Sequence, residues 1–175
     1  MAKSTDASSV EGMGSTLGMR MTLTFPLFLT HRVDITDSGY RPRMFTYQHI
    51  VKLHDTDGYG ILFFANQLRM CHDALQECWR AIGHPLLPNR HQLAVLPVVV
   101  HADSDYLAKI VVDDVLRISI TLDHIGTTSF SLRYALINQH DVEVGRARTV
   151  HCAVDPTTDV KTPIPLALRL ALGRI

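Results

Sequence analysis

The sequence is poor in features that would assign it to several large classes. It has three cysteines, Cys71, Cys78 and Cys152. The first two lie two helical turns apart, a spacing for one helix face rather than for a zinc site. An odd, unframed set excludes a disulfide scaffold and points to a reducing, cytoplasmic compartment, with the thiols as small buried hydrophobes. Charge of either sign is not in excess: 17 Lys and Arg balance 17 Asp and Glu. Without a basic stripe, a nucleic-acid partner is not expected. No apolar run is long enough to span a bilayer, so a membrane partner is not expected either. The nearest candidate, MTLTFPLFLT at residues 21–30, is short and carries Pro26. Asp6 and Glu11 stand where the basic region of a secretory leader belongs, so no leader is expected.

What is present begins with a change of texture near Met44. Residues 1–43 open small, polar and aperiodic and are expected to be a disordered extension. From Phe45 the pattern alternates, with Phe45, Tyr47, His49, Val51 and Leu53 on one side, as a half-buried strand requires. The loop HDTDGYG follows. From about Ile61 to Ile82 the period lengthens: Leu68, Cys71, Leu75, Cys78 and Ile82 recur at three and four, one apolar helix face ended by Gly83 and Pro85. The aromatic start of that segment, ILFFA, is apolar on more than one side, so this end is expected to be well buried. Four strand-like runs come next: LAVLPVVVHADSDYL, VLRISITLDHI, SFSLRYALIN and VEVGRARTVHCAV. Their short connections predict an antiparallel meander. The order is an α+β layout, one long helix wrapped by a curved antiparallel sheet, over residues 44–165, with 166–175 as a helix-like tail. One helix cannot cover a whole sheet, which implies an oligomer.

The chemistry concentrates before the helix. Asp57 lies between Thr56 and Gly58, just ahead of a helix N-terminus with its unpaired N–H groups and partial positive charge. Two readings fit. Asp57 caps the helix, a role worth about 1 kcal/mol. Alternatively it attacks a carbonyl, or activates a water, beside amides that hold the developing oxyanion. The spacing of His54, Asp55 and Asp57 matches neither a calcium loop nor a zinc site, so no metal is expected. His101 and Asp103 read as a structural pair on one strand face, and Trp79 as a core residue.

The stretch LHDTDGYGILFFANQLRMCHDA, with its D-x-D-x-x-G followed by an aromatic run and an Asn, resembles the active-site segment of hotdog-fold acyl-CoA thioesterases of the 4-hydroxybenzoyl-CoA thioesterase type. FTY at 45–47, MCH at 70–72 and LPVVVHADSDYLA at 96–108 extend the resemblance, which covers 44–165. It implies the hotdog fold, with Asp57 as catalytic nucleophile or base and the Phe64 backbone N–H polarising the thioester carbonyl. It implies a substrate-binding stretch in which Gly60 is the loop glycine, Tyr59 and Phe63 bring rings to an aromatic acyl group, and Asn66 matches the family's Asn. It further implies an acyl-CoA substrate, with CoA part of the substrate and no separate cofactor, and a homodimer or homotetramer with the pocket between subunits. Lys109 and Asp113 depart from the family's Pro and Gly, so the turn there is expected to differ. Arg146, Arg148 and Lys109 are read as solvated charge ahead of contacts to CoA phosphates. An acyl carrier protein as thiol carrier, or a non-catalytic acyl-binding hotdog domain, are the alternatives on the same fold.

Overall fold

The computed structural model describes residues 44–87 and 89–175; the expectation for 1–43 lies outside the described residues. Five strands form one antiparallel sheet: β1 (Phe45–Ile50), β2 (Leu96–Tyr106), β3 (Val115–Ile125), β4 (Ser129–Ile137) and β5 (Glu143–Val154), in spatial order β1-β3-β4-β5-β2. The long helix α1 (Phe64–Ala81) links β1 to β2, and a short helix, α2 (Leu166–Leu172), follows β5. β3, β4 and β5 are the expected meander. β2 takes the far edge beside β5, paired from Leu96↔Val154 to Tyr106↔Gly145. This α+β layout is the hotdog arrangement anticipated above.

The alternation that defines the strands also builds the core. Leu116, Ile118 and Ile120 of β3, Phe130, Leu132, Tyr134 and Leu136 of β4, and Ala147, His151 and Ala153 of β5 are buried on the helix side. Arg117, Arg133, Arg146 and Arg148 project from the other face. Two of these runs are rich in β-branched residues, which fit a pleated surface. α1 buries Gln67, Met70, Cys71, Ala74, Leu75, Cys78 and Trp79 against the sheet. Leu68 and Ile82, expected on that face, are only half-buried. The helix ends as a Schellman turn: Gly83 N–H donates to Arg80 O at 3.1 Å and His84 N–H to Trp79 O at 2.9 Å. Leu168, Leu172 and Ile175 also join the core.

Two expectations need correcting. Leu53 does not continue β1; residues Leu53–Asp55 turn as a 3-10 helix and Leu53 is exposed. The aromatic start of the helical segment is not buried: Phe63 and Phe64 are 41% and 64% exposed, and of the run only Leu62 enters the core. The first turn of α1 is therefore not held by apolar burial. At the 111–114 turn, Asp113 has φ +68°, the left-handed backbone that glycine adopts without cost.

Two of the buried polar side chains, His151 and Gln67, lie at the seam of helix and sheet. His151 stacks on Phe130 with centroids 4.7 Å apart, and its Nε2 meets Thr149 Oγ1 at 2.8 Å. Burial pushes its pKa down to about 4. Gln67 Nε2 donates to Ser104 Oγ (2.7 Å), Asp105 O (2.9 Å) and Arg146 O (3.0 Å), so α1 is stitched to β2 and β5. This approach needs Gly145, where an added Cβ would stand 2.6 Å from Gln67 Oε1.

Both groups give measurable outcomes. His151 stays neutral in the fold while the unfolded imidazole titrates near 6.5, so it contributes nothing to pH dependence above that value. Between pH 6.5 and about 4 the unfolded chain binds the extra proton, and the folded state loses up to about 3 kcal/mol. Urea unfolding at pH 7, 5.5 and 4.5 is expected to show this loss, and His151→Phe to flatten it. Gly145→Ala is expected to cost about 2 kcal/mol, because the Gln67 amide must leave three acceptors. In the Gln67→Ala background the same change is expected to cost less than half as much, read by the midpoint of denaturant unfolding.

Candidate active site

The segment between β1 and α1 folds back on itself. Asp57 N–H donates to Ile61 O at 2.9 Å, Gly60 N–H to Asp57 O at 3.0 Å, and Thr56 pairs with Leu62 as an isolated bridge. Gly60 carries φ +73°, which closes this small hairpin at low cost. The hairpin sets Asp57 opposite Ile61, three residues before the helix starts.

The two carboxylates of the DTD sequence have separate surroundings. Asp55 has no solvent exposure. Its Oδ2 accepts the Lys52 N–H at 2.8 Å and lies 3.3 Å from His49 Nε2, and its Oδ1 takes the Arg69 guanidinium. Burial alone would raise its pKa; the Lys52 N–H, His49 and Arg69 outweigh that and hold it below the ordinary value. Its main chain is equally committed: Asp55 O accepts the Phe63 N–H and the Asn66 side-chain amide, both at 2.9 Å. Arg69 is braced in turn by Asn66 Oδ1 (3.3 Å) and Asp73 (2.9 Å).

Asp57 is partly exposed. Its Oδ1 accepts the Tyr59 N–H at 2.8 Å, an Asx turn that aims the carboxylate, and Oδ2 makes no hydrogen bond among the described residues. It does not cap α1. The residue at the cap is Phe63, with no side-chain bond to the helix end. The capping alternative is thereby removed for Asp57, and the helix N-terminus stays open. Phe63 N–H is spent on Asp55 O and Asn66 N–H on Phe63 O (2.8 Å), which leaves the Phe64 and Ala65 N–H groups without a partner among the described residues.

The other residues expected here fall around this opening. Tyr59 stands at the loop tip, 91% exposed. Phe63 and Phe64 pack ring against ring, 4.6 Å between centroids. Tyr106, at the end of β2, donates its hydroxyl to Phe64 O at 2.7 Å. Asn66 spends both ends of its amide inside the loop clamp. Residues that the sequence did not single out are His49, Arg69, Gln67 and Tyr106. Alternation does place His49 on the inner side of β1, and a Gln at a core-facing helix position is a signal that was available.

Elsewhere the charged candidates are matched. His101 and Asp103 pair at 3.1 Å on exposed β2. Arg146 binds Glu143 through two contacts, 2.7 and 2.6 Å, and Asp123 takes Arg133 (2.7 Å) and Arg148 (3.1 Å). Burial raises the Cys71 and Cys78 thiols to about 12, which removes them as nucleophiles. Among the described residues, no three or more His, Cys, Asp or Glu side chains gather as metal ligands.

Comparison with known proteins identifies the family. The sequence profile of the Thioesterase-like superfamily matches residues 51–172. A 1,4-dihydroxy-2-naphthoyl-CoA hydrolase of Nostoc punctiforme is 34% identical over 121 residues, which is 69% of this chain and 81% of the relative. One of Synechocystis is 31% identical over 131 residues, 73% of this chain and 94% of the relative. The crystal structure of a 1,4-dihydroxy-2-naphthoyl-CoA thioesterase from Synechocystis superposes with a TM-score of 0.67 at 28% identity, covering 74% of this chain and 95% of that one. By its sequence profile and its fold, and with the D-x-D-x-x-G hairpin set against an open helix start, the chain belongs to the Thioesterase-like superfamily of hydrolytic enzymes.

Proposed function

We propose that the protein hydrolyses an aromatic acyl-CoA thioester, with 1,4-dihydroxy-2-naphthoyl-CoA, an intermediate of quinone biosynthesis, as the substrate. The observation that carries the mechanism is the pairing of a partly exposed carboxylate, free of any capping duty, with a helix start whose Phe64 N–H has no partner among the described residues. The thioester oxygen sits at the Phe64 N–H, where the helix end favours negative charge. Asp57 Oδ2 attacks the carbonyl carbon, or takes a proton from a water that does so. The C–S bond breaks, and the CoA thiolate leaves without needing a strong acid. On the first route water then cleaves the acyl–Asp57 anhydride and restores the carboxylate; on the second the attacking water supplies the acid's oxygen directly; both routes end in the free acid and the free thiol.

Substrate choice follows from the surroundings and the relatives. Tyr59, Phe63, Phe64 and Tyr106 offer rings around the opening, and these are surfaces for a flat acyl group. The named relatives act on a naphthoyl thioester. CoA belongs to the substrate, and the chemistry requires no further cofactor. A homodimer or homotetramer in the cytoplasm goes with this reading. β2 is an edge strand whose Val98, Val99 and Val100 are exposed, the kind of edge that a second chain covers.

The two aspartates are expected to separate in experiment. Asp57→Asn is expected to lower kcat by at least 100-fold, read by thiol release from 1,4-dihydroxy-2-naphthoyl-CoA and benzoyl-CoA, while the thermal midpoint stays within about 3 °C. Asp55→Asn is expected to do the reverse first, costing about 2–4 kcal/mol of stability, because Arg69 and His49 lose a buried anion. Full turnover by Asp57→Asn would rule out the mechanism.

A further inference from the structure

We propose that Tyr106 is a positioning residue for the hydrolysis: its hydroxyl on the Phe64 carbonyl sets and polarises the first turn of α1, so that the Ala65 N–H joins the Phe64 N–H in holding the thioester oxygen. The inference rests on the thioesterase reading and extends it to a second donor and to the strand that controls it.

Three observations lead there. The first is the state of the helix start. Of the N–H groups from Phe63 to Asn66, the outer two are used within the chain, and Phe64 and Ala65 alone have no partner among the described residues. Two adjacent N–H groups pointing off a helix end can share one oxygen.

The second is the peptide that Tyr106 touches. The Phe64 carbonyl and the Ala65 N–H are the two ends of one planar amide. A hydrogen bond to the oxygen draws charge through the amide and makes the N–H a stronger donor, by about a tenth to a third of its strength. The Tyr106 bond has the ordinary length of an O–H···O pair, 2.7 Å, and it uses the lone pair that the helix leaves over, since a carbonyl oxygen can accept twice.

The third is what else holds this turn. Phe63 and Phe64 are 41% and 64% exposed, so apolar packing gives it little support. Asp55 holds one side of the turn through Phe63 N–H and the Asn66 amide; on the other side the polar anchors come mainly from one end of β2. Tyr106 holds Phe64 O, and Gln67 one turn on is fastened to Ser104 and Asp105. The edge strand therefore shares with the Asp55 clamp in placing the two open N–H groups.

The test is Tyr106→Phe in the full-length protein, with benzoyl-CoA as probe. The expected result is a kcat roughly tenfold lower, KM within about twofold and a thermal midpoint within about 3 °C. A second readout separates polarisation from packing. The infrared carbonyl stretch of benzoyl-CoA bound to Asp57→Asn is expected to shift to lower frequency than in water, and the shift to shrink in Asp57→Asn/Tyr106→Phe. An unchanged kcat together with an unchanged stretch, in a wild-type protein that hydrolyses the probe, overturns the role of Tyr106 alone. A lower kcat with an unchanged stretch also overturns it, because the hydroxyl then serves packing only. A wild-type protein that releases no thiol from either thioester overturns the thioesterase reading and this inference with it.

Discussion

A single buried carboxylate organises the junction of β1, the loop and α1, where the candidate site lies. Asp55 is withdrawn from water, and an anion in that position is tolerable only while its oxygens are occupied. Its partners come from three places: His49 on β1, the Lys52 amide in the turn, and Arg69 on α1. Meeting that demand locks strand, loop and helix together. The same residue then uses its carbonyl to take up the Phe63 N–H and the Asn66 amide. The first helical N–H groups left open are consequently those of Phe64 and Ala65.

The neighbouring carboxylate is available for chemistry because Asp55 supplies the anchoring. Asp57 sits two residues on, across a hairpin closed by Gly60, with one oxygen turned by the Tyr59 amide. A carboxylate that also had to cap the helix would be pinned to the amides it is meant to leave for the substrate. Phe63 at the cap position, offering no side-chain acceptor, keeps those amides open. The opposite side of the turn is fastened by β2, through Tyr106 and Gln67. The edge strand of the sheet and the floor of the site are thus one mechanical unit.

Much of the fold was readable from residue order. Val115–Ile125 and Ser129–Ile137 carry large apolar residues at every second position over most of their length, and strands formed there because one face of each had to be buried. Cys71, Leu75 and Cys78 marked the core face of α1, and Gly83 its end. Leu53 misled, because alternation continues through it while the backbone turns away to deliver Asp55. Phe63 and Phe64 misled for a related reason: apolar side chains at a helix start read as core, whereas here they lie at the mouth of a site.

By itself the sequence determined the strand and helix pattern, the balanced charge and a segment whose residue types suit acyl transfer. Those properties are local, set by periodicity, by turn chemistry and by the side chains that a short motif contains. Only the tertiary structure decided which aspartate is the anchor and which faces outward. That depends on His49 and Arg69, 20 residues apart along the chain, converging on one oxygen pair. It likewise decided the place of Tyr106, since a contact between the end of an edge strand and the start of a helix exists only once the sheet has assembled β2 beside β5.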